Sequence, residues 1–209
     1  LHTQSLYISF PYIKASADVV KIDFDRDLLQ AVSLERISLK LPELASWRTE
    51  QSWAHVISNG NVFLSSFGAP ARLLKYNPTD RTLSSACETD QGLVKIWALS
   101  EGRDGEILMG ASGENGRFYL YRYDPTSVQS KCKIVAERDG DLNEFDMIRS
   151  MKKIGDKVYL GLGSQKPGLA VFDLVGQSLA RVNMPNCDLP GWIVFSKVSN
   201  SNGWVANSS

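Results

Sequence analysis

Trp53, Trp97 and Arg149 stand at one and the same place in three successive copies of a short pattern, 44 and 52 residues apart. Two indoles and a guanidinium gathered on one face would suit a sugar polymer. Aromatic faces stack on sugar rings, and Arg meets carboxylates in a fixed fork. The competing use for the two tryptophans is bulk packing between neighbouring units. Arg149 carries the stronger expectation of function, because a charge where the other copies have Trp needs a reason. Glu50, Lys95 and Asp146 lie just upstream of the three and belong to the same candidate region. His55, two residues after Trp53, falls on the same strand face. An imidazole suits a general base near neutral pH, but without an identified partner it reads more readily as a structural or surface group.

Two other stretches invite chemistry and are set aside. Asp139, Asp141, Asn143, Glu144 and Asp146 alternate oxygen ligands as a calcium loop would. However, Glu144 stands where a helix-loop-helix calcium loop needs its turn Gly, and Ser150 where it needs Glu, so a solvated loop is the reading. Gly161-Leu162-Gly163-Ser164-Gln165-Lys166 lacks the phosphate-loop spacing and has no helix pattern after it, so it reads as a strand-end loop.

The elements that must position the candidates are short strands. The first full copy runs Trp53-Ala54-His55-Val56, Asn59-Gly60, Val62-Phe63-Leu64, Gly68, then Leu73 to Thr79. The second runs Ile96 to Leu99, Asp104-Gly105, Ile107 to Gly110, then Phe118 to Thr126. The third runs Ile148 to Met151, Gly155-Asp156, Val158 to Gly161, then Leu169 to Asp173. Tyr76, Tyr123 and Phe172 repeat at 47 and 49 residues. Apolar runs of four to six residues are strand lengths. Asn59-Gly60, Asp104-Gly105 and Asn202-Gly203 are two-residue hairpin signals, since Asn and Gly tolerate positive φ. Pro78 and Pro125 mark the turn from a third strand into a fourth, having no N–H for a ladder.

A repeat of roughly 40–50 residues built only of short strands predicts an all-β propeller, about four blades of four-stranded antiparallel sheet. The expected units are a partial blade over 1–45, blades over 46–92, 94–138 and 146–187, and a partial blade over 190–209. Leu6 to Phe10 and Val19 to Asp25 read as second and third strands, and Trp192 to Ser196 as a first. The first residue is Leu1 rather than Met. A chain that starts inside one blade and stops inside another favours a window cut from a propeller of roughly six to eight blades over a closed ring of four.

The repeat resembles bacterial β-propeller proteins with Tyr-Asp-Pro-Thr-like turns, above all those associated with polysaccharide lyases and glycan degradation. Ile148 to Met151 and Lys157 to Ser164 carry that resemblance. Ile96 to Leu99 with Asp104 to Ile107 also resemble the periplasmic propeller repeats of hybrid two-component sensors. The resemblance implies a secreted or periplasmic setting and either glycan handling, as lyase, hydrolase or binder, or a non-catalytic sensor or protein-interaction role. No family's catalytic motif matches residue by residue.

Composition narrows the partners. Lys+Arg and Asp+Glu are both 23, so the chain lacks the basic excess that phosphate binding needs, and no nucleic-acid partner is expected. Apolar runs are too short to span a membrane. An anionic polysaccharide or a protein is the expected partner. Cys87 and Cys132 each fall about ten residues past the aromatic end of a third strand. That places them near the outer strands of neighbouring blades, which diverge from the axis, so no bridge between them is expected and all three cysteines should be thiols. Nothing has zinc-like spacing. The expected ligand-binding set is Trp53, Trp97, Arg149 and His55, with no metal, no cofactor and no assigned catalytic residue.

Overall fold

The computed structural model describes residues 3–9, 18–25, 30–38, 55–65, 70–89, 93–127, 131–164, 166–184, 193–197 and 204–208. Among these, the chain is an all-β propeller segment in which every sheet is an antiparallel meander with its strands in chain order. Blade one holds β1 (Thr3–Ser9), β2 (Asp18–Asp25) and β3 (Gln30–Ser38). Blade two holds β4 (His55–Ser58), β5 (Asn61–Ser65), β6 (Arg72–Asn77) and β7 (Thr82–Glu88). Blade three holds β8 (Leu93–Glu101), β9 (Ile107–Gly113), β10 (Phe118–Tyr123) and β11 (Lys133–Glu137). Blade four holds β12 (Ile148–Ile154), β13 (Lys157–Leu162), β14 (Gly168–Asp173) and β15 (Ser178–Val182). The hairpin β16 (Ile193–Lys197) and β17 (Trp204–Ser208) forms a separate two-stranded sheet.

Local sequence explains the turns. Asn59 and Gly60 have φ of 49° and 74°, and Asp104 and Gly105 have 49° and 84°. Two successive left-handed residues make the tight turn whose twist matches the flanking strands. Between third and fourth strands the turn is held by side chains. The Asp124 carboxylate accepts from the Thr126 amide and hydroxyl at 2.8 and 2.6 Å. Asp173 accepts from the amides of Val175 and Gly176, both at 2.8 Å. These hydrogen bonds to the ionised form hold both carboxyls below the usual aspartate range.

Packing follows the two-residue period of a strand. In β9, Ile107, Met109 and Ala111 face blade two and, with Tyr121 and Tyr123 of the neighbouring β10, meet Phe63 and Leu73 of blade two in one buried layer. Leu108 joins a second layer with Phe118, Leu120, Phe145, Ile148, Val158, Leu160 and Phe172, between blades three and four. First strands are innermost: β8 packs on β4 and β12, and β12 also packs on β16. Gly110 in β9 makes room for this. A Cβ there would fall 2.6 Å from Cγ2 of Ile148 on the next blade's first strand. Gly161, at the equivalent place in β13, leaves the same space for the Ile193 carbonyl of β16.

The expectation for the cysteines is overturned. Cys87 and Cys132 form a disulfide, with Cα atoms 5.7 Å apart, inside the range that bridging allows. The argument from diverging outer strands fails on two local features. Ala86 is the extra residue of a bulge between Leu73 and Leu74 of β6 and their partners on β7. The bulge interrupts an exposed strand and leaves Ala86 and Cys87 both buried. Cys132 precedes β11 rather than lying within it, so its position is not tied to the line of the outer strand.

Candidate functional site

The site is built from two bulges. In β8, Ile96 pairs with Ala111 and Ala98 with Gly110, which leaves Trp97 as the extra residue. In β12, Ile148 pairs with Leu162 and Ser150 with Gly161, which leaves Arg149 as the extra residue. The repeat thus places a bulge at the same point of two consecutive first strands. A bulge re-aims a side chain that regular pleating would send to one sheet face. Here both side chains are half-buried rather than packed away.

The two bulges meet across the blade boundary. The Arg149 guanidinium carbon lies 4.8 Å from the centre of the Trp97 ring. Lys95, on Trp97's own strand, brings its Nζ to 5.0 Å from the same centre. Each contact is worth about 0.5–1 kcal/mol at a partly exposed site. The indole is itself anchored, because its Nε1 donates to Ser112 Oγ at 2.8 Å. On the other side of β12, the Ser150 hydroxyl donates to the Ile193 carbonyl at 2.5 Å, which fixes the strand beside the bulge. The outcome is two cations from adjacent blades organised on one aromatic platform next to the innermost strands. A carboxylate or sulfate meeting both would gain from two charges and from the flat guanidinium donor pair.

Of the four expected ligand-binding residues, the structure brings Trp97 and Arg149 together. Trp53 lies outside the described residues, as does Glu50. His55 is the first residue of β4, paired through its backbone with Leu64, and its side chain lies outside the described set. Lys95 joins Trp97 directly, whereas Asp146 sits before β12 and accepts from the Ser164 hydroxyl. Ser112 escaped sequence reasoning, because a serine at the end of a second strand gives no signal until the register puts it against an indole.

The acidic stretch before β12 is a tied loop. Asp139 caps a single 3-10 turn over Gly140–Leu142. The Glu144 carboxylate is held by Lys166 and Arg181, both at 2.7 Å. Hydrogen bonding from Lys166, then the charges of Arg181 and Lys166, keep its carboxyl below the usual glutamate range despite some burial. Phe145 is fully buried beside Gly168, where any side chain would collide with its ring. No group of three or more His, Cys, Asp or Glu among the described residues is arranged to hold a metal ion. None of the described helices is long and apolar enough to cross a membrane, a statement that leaves strands aside.

Comparison with known proteins yields the fold. No family model and no curated protein matches the chain. Among solved structures, TolB from Acinetobacter baumannii is similar with a TM-score of 0.55 at 15% identity, covering 98% of this chain and 49% of that one. The computationally designed Ika8 protein is similar with a TM-score of 0.52 at 12% identity, covering 91% and 52%. The chain therefore spans about half the length of these structures.

Proposed function

We propose that this chain is the propeller scaffold of a secreted or periplasmic protein that handles an anionic glycan, binding it through Arg149, Lys95 and Trp97. The observation that carries the reading is the pair of cations held on one indole at matching bulges of two first strands. Charge rather than stacking dominates recognition in this reading, because cations from two residues already lie against the Trp97 ring. Uronate carboxylates or sulfate esters are the ligand groups that a guanidinium fork and an ammonium recognise together. Trp53 and His55 stay in the proposal as the blade-two contribution to the same face. The inter-blade disulfide supports a compartment outside the reducing cytoplasm.

Arg149→Ala in the intact protein should weaken binding of an oligouronate at least about tenfold, the scale of one charge-assisted contact. Its neutral counterpart sugar should bind with unchanged affinity. Equal affinity of the variant and the parent protein for the oligouronate would overturn the glycan reading.

The second reading is a non-catalytic sensor or interaction propeller that takes a protein partner. Ile57 of β4 and Ile154 of β12, 48% and 46% exposed on first strands, favour it. Substituting these two by Ser would then abolish partner binding while leaving oligouronate binding alone.

A further inference from the structure

The bridge between Cys87 and Cys132 is asymmetric in a way that bears on its chemistry. Cys87 is 5% exposed and belongs to the apolar layer between blades two and three, with Leu73, Met109, Tyr121 and Tyr123 around it. Cys132 is half-buried at the margin of the same layer. Reduction by a dithiol begins when its thiolate attacks one sulfur and expels the other as a thiolate. The sulfur nearer solvent is that of Cys132, so the electron pair of the broken S–S bond would go to Cys87. A thiolate there would form among aliphatic and aromatic side chains, where the charged form is disfavoured and leaves poorly. Attack on Cys87 instead would need the reductant to enter the layer itself.

Attack on Cys132 is therefore slow, and attack on Cys87 closed, while the two blades stay packed. We infer that the Cys87–Cys132 bridge is a slow-opening lock on the rim of blades two and three, closed in an oxidising compartment and readily reduced only when that rim opens. The bridge joins residues 45 apart, one from each blade, so it covers the whole first-to-third strand path of blade three. Opening it costs two electrons and two protons, supplied by the dithiol, which becomes a cyclic disulfide as Cys87 and Cys132 become thiols. Neither Trp97 nor Arg149 enters this proposal, which stands apart from the ligand reading.

The test uses the oxidised full chain and dithiothreitol as the reductant, with alkylation and peptide mass mapping over time. A linked peptide pair containing Cys87 and Cys132 is expected before reduction. Its loss in buffer should be slower by roughly two orders of magnitude than its loss in strong denaturant, and should accelerate with mild denaturant as the rim opens. Reduction in buffer at the rate seen in denaturant would overturn the lock. The absence of the linked pair in protein made under oxidising conditions would overturn the bridge with it. A Cys87→Ser/Cys132→Ser chain serves as control, and where it folds, dithiothreitol should leave its melting temperature unchanged.

Discussion

Among the described residues, the interfaces between blades two and three and between blades three and four are fastened by different means. Between blades two and three the apolar layer is closed at the rim by a covalent bond, Cys87 to Cys132. Between blades three and four the fastening is non-covalent and runs from the axis outward. Ile148 nests against Gly110, Lys153 donates to the Gly102 carbonyl, and Arg149 lies over Trp97. Phe145 closes the outer part of that interface from the loop before β12, with Arg181 over its ring at 5.4 Å. A disulfide holds the rim covalently, whereas the arginine over the indole is held by non-covalent contacts that can rearrange. Under the proposed glycan reading, a response to ligand would fall at the axis of blades three and four, with blade two held fast to blade three.

The largest effect should come from the outer plug. Phe145→Ala removes a fully buried ring and leaves a cavity beside Gly168, at a cost of about 3–5 kcal/mol. Urea unfolding should show a lower midpoint with little change in slope, and a loss below about 1 kcal/mol would show that the interface does not depend on it. Removing the rim bond should cost somewhat less. For a loop of 45 residues the chain-entropy argument sets about 4 kcal/mol as the scale, with measured bridges commonly at about 2–4. The Cys87→Ser/Cys132→Ser chain, unfolded by urea beside the oxidised parent, measures it. Equal midpoints would remove the contrast between the two interfaces.

The smallest effect is the acid dependence of the turns and the tied loop. Asp80, Asp124 and Asp173 have carboxyls held below their ordinary 3.8, and Glu144 below its ordinary 4.5. A depressed folded value means stability that is complete above the unfolded value and lost as pH falls through the folded one. Melting temperature should thus be flat through neutral and mildly acidic pH. It should then fall below about pH 4.5, first through Glu144 and then through the aspartates. Glu144→Gln should blunt the upper part of that fall, and an identical acid limb in the variant would show that the loop contributes nothing to it.

Much of the fold was legible because it is written several times over. Asn59-Gly60 and Asp104-Gly105 announce hairpins by their tolerance of positive φ, and Asp124-Pro125-Thr126 announces the next turn by its hydrogen-bonding side chain. Trp97 and Arg149 were legible as a matched pair for the same reason: repeat equivalence brings like positions to like places around the axis. What stayed hidden depended on register shifts of one residue. The extra residue at Ala86 turns Cys87 inward, and no count of residues past Tyr76 reveals it. Ser112 entered the site through strand pairing, and a serine is not distinctive in composition, whereas Lys95, read just upstream of Trp97, reaches its ring. The acidic stretch reads as a solvated loop, and its ties to Lys166 and Arg181 stayed hidden because they arise from residues 22 and more positions away.

In the proposed glycan reading Trp97 and Arg149, one from each blade, act as a single ligand-facing unit. A double-mutant cycle on oligouronate binding, with Trp97→Leu, Arg149→Met and both together, measures that coupling. Each single change should weaken binding, and the double change should cost less than the two combined, with a coupling of about 0.5–1 kcal/mol. Strict additivity, or wild-type affinity in the Arg149→Met chain, would contradict it.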